Sequence, residues 1–355
     1  MLNQTSTAQT NVVTPELRHE FEGFVGSLLG AGSYEIHPLA GDASARRYFR
    51  VVAHDDSWVL MLWEPFEDNG QYPFLSVRQH FEKHGVQVPK VVGMRPDKGF
   101  VLLEDLGDLT LERKFWENQT QDLSIPYYKQ AIDELIKIHY LASADRSPCT
   151  AFNVEFDTAK LLWEMNYGRE HLLTGLCRIK LSDTVNTELT KNFTSICERL
   201  HAEPKFIAHR DYHSRNVMIK LGRVRVIDFQ DARMGAIQYD LVSLLRDSYV
   251  NMTDDMQELL LNYYLDGRKR LAPSLPTPSR DSFNHVFELQ TVQRCFKACG
   301  SFASFNMLRQ DTRYLKYLAP TLKTVKRSLA RFPEYRTFYS VLEDHGVFDQ
   351  NFEST

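Results

Sequence analysis

The octapeptide His209-Arg210-Asp211-Tyr212-His213-Ser214-Arg215-Asn216 follows an apolar run, Phe206-Ile207-Ala208, and precedes another, Val217-Met218-Ile219. Twelve residues beyond Asn216 a third apolar segment ends in a carboxylate, Val226-Ile227-Asp228-Phe229. These residue types suit phosphoryl transfer, which needs an acceptor hydroxyl held in line and metal ions spanning the phosphates. Asp211 can accept the hydroxyl proton. Asn216 offers a neutral amide oxygen and Asp228 a charged one, both hard donors of the kind Mg2+ prefers. A tight loop and a hairpin would bring all three together. The plainer alternative is that Asp211 and Asn216 cap turns and Asp228 ends a strand, and the ordered set of matches argues against it. His209 reads as a hydrogen-bonding organiser of the loop, and Arg210 as an ion-pairing one. Asp231 either caps the turn that Gly235 allows or touches the metal.

The elements that must position these groups change character along the chain. Thr14 and Pro15 open a helix with apolar residues at 3–4 spacing from Leu17 to Leu29. Short strands are expected at 34–39, 48–52, 58–62, 91–94 and 100–103, with a helix at 74–84 and a hairpin turn at Pro96-Asp97-Lys98-Gly99. Beyond Glu104-Asp105-Leu106-Gly107-Asp108 the pattern is mostly helical: 109–118, 125–142, 157–174, 183–201, 238–250, 254–266, 280–300 and 314–331. A strand–loop–strand–turn–strand unit at 206–227 interrupts the helices. The reading is an α+β chain with a β-rich part, residues 1–106, and a helical part, residues 107–355.

Composition narrows the class. The chain has 355 residues, a formal net charge of −4 and no long Lys/Arg run, so no nucleic-acid partner is expected. The apolar run Trp58 to Trp63 is too short to span a bilayer, so no membrane partner is expected either. The start lacks a secretory signal pattern. The five cysteines contain no C-x-x-C pair, and Cys295 and Cys299 have no His or Cys partners at zinc spacing. Free thiols in a reducing cytoplasm are expected.

The spacing H-R-D-x-x-x-x-N resembles the protein-kinase catalytic loop, and Ile227-Asp228-Phe229 resembles its metal-binding partner. With Gln230 next, the set resembles the aminoglycoside phosphotransferase-like kinase superfamily. Four runs resemble one bacterial group within it: Leu39-Ala40-Gly41-Asp42-Ala43-Ser44-Ala45-Arg46-Arg47-Tyr48-Phe49-Arg50-Val51, Leu102-Leu103-Glu104-Asp105-Leu106-Gly107-Asp108, Val226-Ile227-Asp228-Phe229-Gln230-Asp231-Ala232, and Tyr239-Asp240-Leu241-Val242-Ser243-Leu244-Leu245-Arg246-Asp247. That group is the anomeric kinases of N-acetylmuramate and N-acetylglucosamine in peptidoglycan recycling. The resemblance implies a two-lobed, protein-kinase-like fold in a cytoplasmic monomer that uses ATP and Mg2+. It implies transfer to the anomeric hydroxyl, giving a sugar 1-phosphate that a nucleotidyltransferase would consume.

Several site residues follow from this resemblance together with their types. The small-residue loop Gly41, Asp42, Ala43 and Ser44 lets backbone N–H groups approach phosphates. Strand 58–62 lacks the lysine that typical kinases place there, and Arg46 or Arg47 is the candidate substitute. Glu104 to Leu106 is the expected hinge for adenine. Asp240 is expected to brace the catalytic loop. The run from Lys160 to His171 also resembles the group, and Glu164 and Arg169 are candidates for the acceptor pocket; Glu164 could equally be a surface or ion-paired carboxylate. Arg215 could reach a substrate carboxylate or anchor backbone. Two rival readings stay open: an aminoglycoside, choline or homoserine acceptor on the same fold, and a nucleotide-binding regulator without catalysis.

Overall fold

The computed structural model describes residues 13–30, 32–39, 46–117, 120–274 and 279–354. It divides into two units, Met1–Tyr72 with Val88–Asp108, and Pro73–Gln87 with Leu109–Thr355.

In the first unit α1 (Pro15–Leu29) starts where Thr14 Oγ1 accepts the Leu17 N–H at 3.3 Å, with Pro15 in the first turn. Five strands follow: β1 (Glu35–Pro38), β2 (Arg47–Ala53), β3 (Asp56–Leu62), β4 (Val91–Arg95) and β5 (Phe100–Glu104). They form one antiparallel sheet in the order β1-β2-β3-β5-β4. Its register puts Phe49 opposite Leu60 and Leu60 opposite Leu102. Alternation then sends Phe49, Val51, Leu60 and Leu102 to one face, where Phe21, Phe24 and Val25 of α1 cover them. Gly99 has φ +68°, and any Cβ there would run into the Trp63 carbonyl, so the turn into β5 requires glycine.

One ion-pair cluster fixes the end of this sheet. Arg50 on β2 donates to Asp105 at 2.6 Å and to Asp108 at 2.9 Å. Burial works against the Asp105 charge, but Arg50 and the Gly107 N–H more than offset it and hold the carboxyl below its ordinary range.

The second unit begins with α2 (Pro73–Lys83) and α3 (Leu111–Glu117). Helix α4 (Ile125–Ile136) runs on as a π-helical stretch, Lys137–Ala142, and α5 (Thr158–Gly168) as another, Arg169–Leu176. After α6 (Asp183–His201) come β6 (Phe206–Ala208), β7 (Val217–Lys220), β8 (Arg223–Val226) and β9 (Arg233–Gly235). These pair as two antiparallel ribbons, β6 with β9 and β7 with β8. Then follow α7 (Ile237–Leu245), α8 (Asp254–Leu271), α9 (Arg280–Arg309), α10 (Leu318–Leu329) and α11 (Arg336–Asp344).

Helix α9 is the axis of this unit and packs against α5, α6, α7 and α10. At the α5–α9 crossing Gly300 meets Gly168, where a Cβ on Gly300 would lie 2.6 Å from the Gly168 Cα. The two backbones therefore touch. Helix α9 extends nine residues beyond the expected end at 300, to Arg309, where Gln310 closes it in the left-handed conformation. The short β9 and the helix α11 are additions to the expected elements.

Candidate active site

The catalytic-loop motif sits between β6 and β7, and a single buried carboxylate shapes it. Asp240 in the first turn of α7 is 0 % exposed. It accepts the backbone N–H of His209 at 2.6 Å and of Arg210 at 2.9 Å, and lies 3.3 Å from His139 Nε2. Arg210 has φ +84°, an uncommon conformation for a non-glycine residue, and the two N–H bonds hold the chain there. His209 adds a second tie, from Nε2 to the Ile227 carbonyl at 3.0 Å, and so joins the loop to the segment carrying Asp228.

The three chemistry-bearing residues come together. Asn216 Nδ2 donates to the Asp211 carbonyl at 2.9 Å and to Asp228 Oδ2 at 3.2 Å. Its Nδ2 is thus committed, which leaves Oδ1 as the donor atom toward a cation. Asp228 has φ +64°, and its Oδ1 also accepts from Gln230 Nε2 at 2.7 Å. One carboxylate and one amide oxygen side by side form the start of a hard-oxygen site, and a Mg2+ completed by phosphate and water oxygens fits it.

Asp211 keeps 26 % of its side chain exposed. Burial opposes its charge, but Lys297, Arg210, His213 and Arg294 more than compensate and hold the carboxyl well below the usual range. Arg210 lies between two carboxylates, its Nε 3.7 Å from Asp211 and its Nη1 3.0 Å from Asp231. Asp231 is thus engaged by arginine. Burial, aided by Arg294, Arg215 and His209 against the pull of Asp211, pushes His213 down to about 3, so its imidazole is neutral.

Behind Asp211 a polar wall is built from α5, α7 and α9. Glu164 of α5 is 0 % exposed, and its Oε2 accepts from Tyr239 Oη at 3.3 Å and from Gln293 Nε2 at 3.0 Å. Its Oε1 is buried with no hydrogen-bond partner among the described residues. Lys160, one turn earlier on α5, lies over the Trp163 ring and feels the charge of Glu164.

Two candidates are not brought to this group. Arg215 makes a two-pronged ion pair with Glu112, both bonds 2.9 Å, donates to Tyr317 Oη at 2.8 Å and stacks on Tyr249 at 3.7 Å. So engaged, the guanidinium ties the end of the catalytic loop to α3 and to Tyr317, the anchoring one of the two readings offered for it. Arg169 donates to Asn186 and Thr190, both at 2.9 Å, and so ties α5 to α6. In the first unit the Arg46 guanidinium lies over Trp63 at 3.7 Å and that of Arg47 over Phe49 at 5.1 Å. Glu104 ends β5, its N–H bonded to the Lys90 carbonyl at 2.9 Å, and Leu106 is buried. Gly41, Asp42, Ala43 and Ser44 lie outside the described residues.

Reading the sequence missed Gln290, Gln293, Arg294 and Lys297. A signal was there: polar side chains at i, i+3, i+4 and i+7 on a helix otherwise rich in apolar residues. The cysteines Cys149, Cys197, Cys295 and Cys299 are buried and free, and burial pushes the Cys295 thiol up to about 11. No helix among the described residues is long and apolar enough to cross a membrane.

A carboxylate beside two side-chain oxygens of the kind Mg2+ takes suits phosphoryl transfer, the chemistry of the kinase-like phosphotransferases. The phosphotransferase enzyme family matches residues 35–273, and the chain belongs to that family. A relative from Neisseria meningitidis named N-acetylmuramate/N-acetylglucosamine kinase is 32 % identical over 311 residues, covering 87 % of this chain and 90 % of its own. One of the same name from Pseudomonas aeruginosa is 30 % identical over 304 residues, covering 84 % and 85 %. Among solved structures, an amicoumacin kinase in complex with AMP-PNP and Ca2+ superposes with a TM-score of 0.59 at 14 % identity, over 90 % of this chain and 96 % of its own. That likeness concerns the fold, which is the two-lobed one of the aminoglycoside phosphotransferase-like kinases.

Proposed function

We propose that this phosphotransferase moves the γ-phosphoryl group of ATP to the anomeric hydroxyl of N-acetylmuramate or N-acetylglucosamine, in peptidoglycan recycling. One observation carries the reading: an ionised Asp211, on a loop strapped by Asp240, stands between the Asn216–Asp228 oxygens and a wall rich in cations. Asp211 receives the proton of the acceptor hydroxyl. Held so far down, it is a weak base. An anomeric hydroxyl, more acidic than an ordinary alcohol, matches it. Asn216 Oδ1 and Asp228 would hold Mg2+, which when bound offsets the charge on the phosphates. Arg210 keeps Asp211 and Asp231 apart and fixes the carboxylate beneath the acceptor.

The wall also speaks to the acceptor class. Lys160, Arg210, Arg233, Arg294 and Lys297 act on the charges of Asp211 and Glu164. A polycationic aminoglycoside or a quaternary amine would meet like charge there. Neutral or acidic sugars would not. In the first unit Arg46 and Arg47 are the cations offered to the nucleotide phosphates in place of the absent strand lysine, with the 104–106 segment offered to adenine. The sugar 1-phosphate would then go to a nucleotidyltransferase.

The test is a product-identified assay with ATP and Mg2+ over both amino sugars, an aminoglycoside and choline. An acid-labile sugar 1-phosphate is expected. An acid-stable 6-phosphate, or turnover of the aminoglycoside or choline alone, would end the proposal. Asp211→Ala should lower kcat by about three orders of magnitude or more while ATP binding, followed by calorimetry, stays measurable.

A further inference from the structure

Helix α9 carries two cations, Arg294 and Lys297, whose charge helps hold Asp211 down but which form no ion pair of their own among the described residues. Gln290, Gln293, Arg294 and Lys297 follow i, i+3, i+4, i+7 spacing and so share one face. Gln290 Nε2 donates to Gln293 Oε1 at 2.8 Å, and Gln293 passes the chain on to Glu164. This fixes the face against α5 and the acceptor wall. Arg294 is 7 % exposed and Lys297 half-buried. Among the described residues no carboxylate lies within 4.0 Å of either cation, and neither side chain donates a hydrogen bond.

A guanidinium nine-tenths buried without a partner is costly unless something completes it. The carboxylates it faces, Asp211 and Asp247, are both beyond ion-pair contact, and Asp247 already accepts from Ser214 and Tyr249. The unpartnered Glu164 Oε1 lies along the same wall. This wall thus carries two cations without an ion pair and one carboxylate oxygen without a hydrogen bond among the described residues, within electrostatic reach of Asp211.

We propose that Arg294 and Lys297, one helical turn apart and indexed by the Gln293–Glu164 bond, form a carboxylate-binding subsite that selects an acid-bearing amino sugar over its neutral counterpart. The inference rests on the acceptor reading above and deepens it. N-acetylmuramate differs from N-acetylglucosamine by a lactyl ether whose carboxylate projects from the ring away from the reacting hydroxyl. With that hydroxyl at Asp211, the carboxylate meets the α9 cations. Arginine offers it a planar fork and lysine a point charge. Arg215, the other cation considered for this task, is closed by Glu112.

The test compares kcat/KM for N-acetylmuramate and N-acetylglucosamine in the parent, Lys297→Gln, Lys297→Glu and Arg294→Gln proteins. For Lys297→Gln the ratio of the two values should fall about ten- to a hundredfold, through KM for N-acetylmuramate, as expected for losing a charge-assisted contact. Lys297→Glu should lower it further. Lys297 is half-buried and carries the test should Arg294→Gln fold poorly. Equal losses on both sugars, carried by kcat, would overturn the subsite and assign the cations to the phosphoryl group or to Asp211. An unchanged ratio in all variants would overturn it as well. A parent enzyme that phosphorylates N-acetylglucosamine normally while the ratio stays fixed leaves the acceptor reading standing without the subsite. A parent that phosphorylates neither sugar removes both.

Discussion

Replacing Asp240 by Asn keeps the shape of the side chain and removes its charge, so it isolates what that buried carboxylate does for the catalytic loop. In the parent each carboxylate oxygen accepts one backbone N–H, His209 at 2.6 Å and Arg210 at 2.9 Å. An amide can present an oxygen to only one of them and turns its own N–H2 toward the other. One charge-assisted bond, worth about 1.5–3 kcal/mol, is lost, and a buried N–H left unpaired costs about 1–3 kcal/mol more. The total, about 2.5–6 kcal/mol, exceeds the strain of about 1–3 kcal/mol that these bonds offset at a positive φ, so Arg210 should relax and carry Asp211 out of line. Small misplacements of reacting groups cost about a hundredfold in rate. We therefore expect kcat to fall about a hundredfold with KM for ATP within about threefold. Native-state hydrogen exchange supplies the second readout. The His209 and Arg210 amides should exchange about a hundredfold or more faster than in the parent, following the lost bond energy. A variant with kcat within about threefold of the parent and unchanged exchange at these two amides would refute the reasoning.

Asp228→Asn removes the charged member of the oxygen pair while Asn216 stays, so half-saturation by Mg2+ should move up at least about tenfold, read from divalent titrations of turnover. An unmoved titration would remove Asp228 from the metal site. Folded His213 titrates at about 3, whereas an unfolded imidazole titrates near about 6.5. Between those values the unfolded chain binds a proton that the folded chain refuses, so this contribution is complete above the upper value and is lost as pH falls toward the lower. Asp211, also depressed, adds to the loss only below its ordinary value, near about 4. Urea midpoints should thus fall from about pH 7 to about pH 5, and His213→Gln should flatten that slope; an equal slope in both proteins would show the ring is not responsible. Arg215→Lys loses the fork to Glu112 and should lower stability by about 1–3 kcal/mol, while the preference between the two sugars persists. A change in that preference would return Arg215 to the acceptor pocket.

The convergence of Asp211, Asn216 and Asp228 was legible because it is local. Asp211, Asn216 and Asp228 sit on one loop and one hairpin, and Asn216 and Asp228 are twelve residues apart along the chain. Nearly all of the strand and helix pattern was legible for the same reason, down to α6 at Asp183–His201. The polar wall of α5, α7 and α9 was not. The Gln293–Glu164 bond joins residues 129 apart, and no periodicity says which face of α5 meets which face of α9. The ion pair of Arg215 was hidden for the same cause, since Glu112 stands 103 residues away and only the fold brings it near. The strand β9, Arg233–Gly235, exists because β6 lies beside it; its own residues carry no strand pattern. The π-helical continuation of α5 was read as ordinary helix, because apolar spacing does not separate the two over so few turns.

The bare contact between Gly168 and Gly300 sets how closely α5 and α9 approach. With no side chain to keep them apart, α5 and α9 rest on each other like the closed jaws of a calliper, and Glu164 and Gln293 record the gap a turn or two away. A single methyl at Gly300 would prise the jaws open by about the width of the added group and shift the Glu164–Gln293 contact with them. The spacing of the wall that carries Glu164 and Gln293 is thus written in the missing side chains of two glycines.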